Sequence, residues 1–476
     1  MWIINLFRMN SIRIKKYFII LGIPFIFQAC FVAKEYQRPE EVILEEDLFR
    51  TNILLQDTTS MAEVSWREMF TDPLLNAYIE EGLNNNIDIR VAVQQIAAAE
   101  AYVKQGKAGY LPTLGLGAGV NHQILSRNSQ FGSFFDGSIT QYEATGNLSW
   151  EADIWGKIRS NDRAFQASYL QTAAAHQAVK TELIASIASM YYQLLALDKQ
   201  LEITLETIET RESSLETTKA LKEAGIVTEV AVKQTEAQLY RAKAVVVDIE
   251  NNIRLVENAL SILLGDTPHD IERTDLAGQE ITTEFQAGVP GQLLRNRPDV
   301  IAAEYNLINA FELTNVARGS FYPSIRLTAS GGFQSLDIAE LFNANSLFAN
   351  LVGSLAQPLL NQRRIRTQYE VAQAQQQIAL LDFKRSLLVA SREVSDALYN
   401  YEAAVEKIEL KSEEYGAYEL ATTYSEELLN NGLANYLEVL NAQENALNSQ
   451  LELVNERFNR LDSIVELYRA LGGGWQ

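Results

Sequence analysis

Two short clusters of acids, one cysteine and three histidines are the residues of this 476-residue chain whose types and spacing could do chemistry. The histidines, His122, His176 and His269, are scattered and show no ligand-like spacing. A zinc-type site needs three or four converging ligands, so no metal site is expected. Nothing in the spacing of Ser, His and Asp sets a nucleophile beside a base. The "GGGW" near the end follows a helical pattern instead of leading into one, so it is no phosphate loop. The expectation is a protein with no cofactor and no enzymatic activity. The acids are more informative. "EAGIVTEVAVKQ" (Glu223 to Gln234) and "NNGLANYLEVLNAQ" (Asn430 to Gln443) each break a helical run with one glycine and place an acid soon after it. Carboxylates ringed at a constriction attract cations and repel anions; the alternative is a solvated helix face.

Cys30 is the lone cysteine, which excludes an intrachain disulfide. Arg8, Arg13, Lys15 and Lys16 precede the apolar run from Tyr17 to Phe27, and Ala29 stands just before the cysteine. A basic start, a short apolar stretch and a small residue before the cut describe a secretory signal over residues 1–29. The run is too short to span a bilayer comfortably as a helix. Met9 gives a more compact basic start than Met1, and either can begin the chain. A cysteine so placed resembles the lipobox of bacterial lipoproteins, although Phe27 and Gln28 stand where leucine and a small residue are usual. Lipidation of Cys30 is the expectation; an ordinary signal with an incidental cysteine is the alternative. Phe31 rather than aspartate follows, which in lipoproteins implies the outer membrane. A net charge of −21 argues against nucleic acid and against a polybasic membrane contact.

The elements that must position these residues are written twice. One spacing separates Gly225 from Gly432 and Gly265 from Gly472; a spacing four residues longer separates Pro112 from Pro323 and Asp88 from Asp299. The chain is a tandem duplication. It divides into a signal (1–29), a lipidated N-terminal segment (30–87) and two repeats, 88–298 and 299–476. Each repeat opens with a helix that ends at its proline. Strands then follow, "TLGLGAGV" and "QYEATGNLSWEA" in the first, "SIRLTASGGF" and "LFANLVGSLAQP" in the second. Neither Gly nor Pro occurs from Lys157 to Ala224 or from Leu359 to Tyr415. The first of these stretches would reach about 100 Å as one helix. Returning helices are expected over Ile226 to Leu264 and Leu433 to Leu471. The last shows a heptad seam through Leu437, Leu440, Glu444, Leu447, Leu451, Val454, Phe458, Leu461, Val465 and Tyr468, interrupted by the one acid.

Four strands cannot close a membrane barrel alone, because an open edge cannot be left in lipid and single-chain barrels start at about eight strands. Either several chains share a barrel or the sheet is soluble and packs on the helices. The pattern of the strands leaves both open.

The pieces "SWREMFTDPLLNAYIEEGLNNN", "SWEADIWGKIRS", "LLRNRPDVIAAEYNLINA", "GSFYPSIRL" and "LYRALGGGWQ" carry a resemblance. In order, and covering nearly all of the mature chain, they resemble the TolC-type outer-membrane factors, in particular the OprM-type lipoprotein branch. The resemblance implies a mixed α and β membrane protein: a homotrimer sharing a twelve-stranded β-barrel, four strands per chain, continued by a long α-helical coiled-coil barrel in the periplasm of a Gram-negative bacterium. It implies a passive exit duct, partnered by a periplasmic adaptor and an inner-membrane transporter, most often of the RND class. It also implies that the hairpin tips lie at the periplasmic mouth. The matching gate positions are Glu229, Leu437, Glu438, Asn441 and Glu444. The matching adaptor contacts are Gly225, Ile226, Val227 and Thr228 in the first tip, and Gly432, Leu433, Ala434 and Asn435 in the second. The family often has aspartate where Asn441 stands and a basic residue where Glu444 stands, so the gate is expected to lack some family ion pairs. The alternative function is a trimeric coiled-coil surface lipoprotein without transport. "SWEADIWGKIR" and "RNRPDV" are read as structural: Trp150 and Trp155 suit a membrane–water interface, Asp153 a helix cap, and Arg297 with Asp299 a salt-bridged helix start.

Overall fold

The computed structural model describes residues 32–39, 60–130, 132–133, 137–279, 281 and 293–475; the signal and Cys30 lie outside the described residues. The first run of elements is α1 (Pro73–Asn85), α2 (Ile87–Ala108), β1 (Thr113–Ile124), β2 (Ser138–Ala152), α3 (Lys157–Glu223) and α4 (Glu229–Leu264). The second is α5 (Pro298–Gly319), β3 (Ser324–Ser335), β4 (Leu347–Ala356), α6 (Arg364–Asn430) and α7 (Tyr436–Ala470). From α2 onward the order helix, strand, strand, helix, helix is therefore built twice. The chain forms two compact units: Met1–Pro39, Ile96–Gln171 and Ala303–Asp382 make the first, and Glu40–Gln95, Thr172–Ala302 and Phe383–Gln476 the second. Each takes residues from both repeats, so the repeats are copies in chain order and not separate bodies.

The first unit holds one antiparallel sheet in the order β1-β2-β3-β4. Its register sorts most of the side chains by polarity. Leu116 pairs with Gly146, Leu148 with Ala329, and Ala329 with Leu351. That face reads Leu, Leu, Ala, Val, His and Ile along β1, with His122 bonded to Thr140, and Leu, Ala and Gly along β4. The opposite face carries Thr145, Asn147, Ser149, Thr328, Ser330 and Asn350, with Glu151 opposite Arg326. Alternation at period 2 is the cause. Two tryptophans fasten the strands to their helices: the Trp150 indole N–H donates to Tyr110 O (2.9 Å) and that of Trp155 to Pro323 O (2.7 Å). Asp153 caps α3, accepting from the N–H groups of Ile158 and Arg159 at 2.9 Å each, as its position in "SWEADIWGKIR" predicts.

A strap from the N-terminus runs along α5 in the same unit. Asn315 donates to Lys34 O (2.9 Å) and accepts from Lys34 N–H (3.2 Å), while Arg38 forks onto both oxygens of Glu304. At the other end Arg318 donates to Val32 O (3.4 Å). This amide-for-backbone pairing satisfies polar groups of a segment with no sheet partner.

The second unit is helical and packs on aromatic side chains. Phe70 meets Tyr192 and Tyr468 edge to face, with ring centroids at 6.4 and 6.3 Å. Asp72 caps α1 through Leu74 N–H (2.8 Å) and accepts from Tyr191, Thr274 and Gln279. Burial pushes the Asp72 carboxyl up, but these hydrogen bonds outweigh it and hold the group below its ordinary value. The two copies end alike: Gly265 N–H donates to Ile262 O and Asp266 N–H to Ser261 O, and Gly472 and Gly473 repeat the pattern on Arg469 and Tyr468. A Cβ on Gly265 would strike Asn85 O, and one on Gly472 would strike Asn296 O. Close backbone approach at matched positions fixes both glycines. Arg297 pairs with Asp299 at 2.6 Å, as read from "RNRPDV".

Several boundaries differ from expectation. β1 runs four residues beyond "TLGLGAGV", through Asn121 to Ile124, because its partners Gln141 to Ser138 continue the ladder. The returning helices begin at Glu229 and Tyr436, not Ile226 and Leu433, since Thr228 and Asn435 have extended backbones as N-caps. α6 starts at Arg364 instead of Leu359, after Gln362 and Arg363 turn the chain at positive φ. It then runs through Gly416 without a break. A lone mid-helix glycine costs about 1 kcal/mol, which a helix of this length absorbs.

Candidate functional site

Both tips, in the second unit, use one backbone device. Gly225 N–H donates to Lys222 O (3.0 Å) and Ile226 N–H to Leu221 O (2.9 Å); Gly432 N–H donates to Leu429 O (3.0 Å) and Leu433 N–H to Leu428 O (2.9 Å). This is a Schellman ending, and it requires the left-handed φ of +76° and +72° found at the glycines. A residue with a Cβ there would cost about 1–2 kcal/mol. The copies then diverge. Asn435 Oδ1 accepts from Glu438 N–H (3.2 Å) while its Nδ2 donates to Glu438 Oε1 (3.3 Å), whereas Thr228 makes no side-chain cap.

Matching the tips at their glycines pairs Ile226 with Leu433 and Val230 with Leu437, and all four are exposed. Val227 and Ala434 are half-buried. Three of the exposed four were legible as tip or gate residues; Val230 was missed, although the repeat spacing points to it. An apolar pair on each tip leaves a surface that water covers poorly.

The acids do not form one set. Glu229 pairs with Lys222 at 2.9 Å, and the lysine's hydrogen bond and charge hold its carboxyl below the ordinary value. Glu438 is exposed on its cap, and Asn441 is exposed one turn further on. Glu444, expected in the same ring, is instead held inside the chain. Its Oε2 lies 3.1 Å from Arg211 Nη2 and its Oε1 2.9 Å from Arg241 Nη1. The Arg211 side chain is 3% exposed and that of Glu444 18%. Arg211 also donates to Gln238 O at 2.7 Å, and the hydroxyls of Thr235 and Tyr436 meet at 2.5 Å. One carboxylate thus ties α7 to both helices of the other hairpin. Both cations come from the first repeat. Sequence spacing did contain a signal: an acid inside an apolar seam needs a buried partner. Which arginine supplied it depended on helix docking.

Below this clamp the hairpins leave a cleft of about 540 Å³ lined by Thr210, Ser213, Thr217, Glu426, Tyr436 and Gln443. Leu221, Leu429 and Val439 also line its wall, so the lining is mixed polar and apolar.

The sheet of the first unit supplies the second part of the site. On its apolar face Leu114, Leu116, Val120 and Ile124 of β1 and Leu347, Leu351 and Leu355 of β4 are 65–86% exposed. A soluble sheet would bury this face on its helices and turn the polar one outward. The arrangement here is the reverse and matches a wall between lipid and water. The family model for outer membrane efflux proteins matches residues 78–266 and 289–473. The chain belongs to the outer membrane efflux protein family. The two matched segments reproduce the duplication. The probable outer membrane lipoprotein SilC of Salmonella typhimurium is 26% identical over 99% of this chain and its own full length. The solvent efflux pump outer membrane protein SrpC of Pseudomonas putida is 31% identical over 86% of this chain and 87% of its own. The crystal structure of the outer membrane protein VceC from Vibrio cholerae superimposes with a TM-score of 0.80 at 27% identity, over 86% of this chain and 99% of that one. As a member of this family the protein is an efflux channel component of the outer membrane, and lipid covers the apolar sheet face.

Proposed function

We propose that three copies of this chain close one twelve-stranded barrel and form the passive exit duct of a tripartite efflux system, fed by a periplasmic adaptor and an inner-membrane pump of the RND class. The observation that carries this reading is the sheet: four strands with an exposed apolar face and with β1 and β4 each paired on one side only. An unpaired edge in lipid leaves backbone groups unsatisfied at several kcal/mol each, and pairing β1 of one copy with β4 of the next removes every edge. The helical hairpins then converge with Leu437, Glu438 and Asn441 toward the pore and Glu229 beside them. Ile226, Val230 and Leu433 form the apolar surface an adaptor grips. Opening separates the tips, and the adaptor biases that equilibrium. Purified protein in a planar bilayer gives channels on this reading; a preparation of folded trimers that never conducts refutes the duct.

Cation preference follows from the mouth. Replacing Glu438 with Ala removes a gate acid that has no basic partner among the described residues, and the reversal potential in a salt gradient moves toward zero. An unchanged reversal potential removes Glu438 from the pore.

Lipidation at Cys30 is part of the same reading. Val32, two residues on in sequence, accepts a hydrogen bond from Arg318 of α5, in the unit that carries the sheet. Cys30→Ser abolishes labelling by a palmitate analogue; persistent labelling would mean that the cysteine is incidental.

A further inference from the structure

On the polar face of the sheet only Glu143, Glu151 and Arg326 carry charge. Two of these sit together at the end where strands become helices. Glu151 accepts from Arg326 (3.0 Å) and from Lys157 (3.2 Å), and all three line a cavity of about 340 Å³. Arg364, Tyr322 and Gln368 line the same cavity. Arg364 has no ion-pair partner among the described residues, whereas its neighbours Arg363 and Arg366 both pair with Glu370 at 3.0 and 3.1 Å. The other acid in the wall, Asp153, is committed to the first turn of α3. Arg326 and Lys157 therefore share one carboxylate while Arg364 lines the same cavity uncommitted among the described residues, in a chain whose net charge is −21.

We propose that this cavity is an anion-binding site on the inner wall of the duct, taking carboxylate- or phosphate-bearing solutes, with Arg364 as the principal ligand and Arg326 and Lys157 beside it. The inward direction rests on the barrel reading, in which the polar sheet face lines the lumen. Guanidinium groups bind oxyanions through paired, charge-assisted hydrogen bonds. The hydroxyl of Tyr322 and the amide of Gln368 add neutral donors suited to the rest of such a group. Three copies give a basic belt at the base of the barrel, opposite in sign to the mouth at the helical tips. An anion that has passed the acidic mouth is then drawn forward, since a narrow lumen focuses the field of its lining charges.

Inorganic phosphate is the probe, added on both sides of the reconstituted full-length channel in a neutral phosphatidylcholine bilayer. Single-channel current falls with phosphate concentration in the unmodified protein. Arg364→Ala weakens that block about tenfold, the scale of one lost charged hydrogen bond, and Arg363→Ala leaves it unchanged. Absence of block, or equal weakening by both substitutions, overturns the site. Block that disappears in phosphatidylglycerol-rich bilayers also overturns it as a solute site, because headgroups then occupy the cavity. Calorimetric titration of phosphate into the detergent-solubilised protein separates this proposal from the duct itself. Binding lost in Arg364→Ala but without conductance would sink the duct and keep the site; no binding would sink the site whether or not the protein conducts.

Discussion

Glu444→Gln unlocks the helical tips: in planar bilayers the closed intervals shorten and the open probability rises several-fold. The substitution keeps the shape of the side chain and removes its charge. Arg211 then stays buried with only neutral acceptors, the carbonyl of Gln238 and the new amide oxygen, and no countercharge. Leaving such a cation uncompensated costs about 3–5 kcal/mol, and the cost falls wholly on the state in which α7 is docked against α3 and α4. Undocking lets water reach the guanidinium, so the equilibrium moves toward separated hairpins. The two arginines provide the internal control. Arg241 is 68% exposed, so its contact with Glu444 is screened by water and worth about 1 kcal/mol or less. Arg241→Gln accordingly changes gating little. Arg211→Gln removes the buried charge and leaves Glu444 with Arg241 alone, so gating moves in the same direction as Glu444→Gln but less far. Equal effects of the two arginine substitutions, or none from Glu444→Gln, would show that the clamp does not govern the tips.

Arg297→Met is the substitution with the largest effect on stability. The guanidinium is 5% exposed and binds Asp299 through two nitrogens (2.6 and 2.9 Å), Glu393 (2.8 Å) and the carbonyl of Ala470 (3.0 Å). It joins the start of α5, the middle of α6 and the last residue of α7, three elements far apart in sequence. Methionine fills much of the volume but leaves two carboxylates and a carbonyl without their donor, for a loss of about 3–5 kcal/mol. Urea unfolding of the detergent-solubilised protein measures it, and a loss under 1 kcal/mol would refute the hub. Acid sensitivity gives a second readout. Burial pushes Asp299 up, but Arg297 overrides it and holds the carboxyl below its ordinary value. A depressed carboxyl contributes stability above its unfolded value, about 3.9, and that stability is lost as pH falls through the folded value. The unmodified protein therefore loses stability below about pH 4, and the Met variant shows less of that acid-dependent loss.

How much of this was legible follows from where each signal lies. The β-strands were readable because alternation at period 2 is local; the register extended them to Ile124, Ser138 and Ser335 and ended the last at Ala356, before Gln357 and Pro358. The tips were readable because a single glycine in a long breaker-free run admits few other structures. Asp153 and the Arg297–Asp299 pair were readable because cap and partner lie within a few residues of each other. Glu444 was misplaced for the opposite reason. Its position in the seam was visible, but its partners lie in another hairpin, and no local rule says which arginine of a distant helix arrives beside it. Arg364 was passed over in the same way, as one of three arginines in a short run.

Sequence by itself determined the duplication, the element order, the glycine turns and the two-faced strands, because each depends on residues within a few turns or strand steps of one another. It left the sheet between membrane and water; the tertiary structure decided this by leaving the apolar face uncovered. Tertiary structure alone also assigned the charges. It held Glu444 in a clamp with Arg211 and Arg241, gave Arg297 the distant carboxylate of Glu393, and set Arg364, which has no ion-pair partner among the described residues, in one cavity with Glu151 and Arg326. Charge pairing acts across a few ångströms of space regardless of chain separation, so only docked helices can show which charges cancel and which remain free to act.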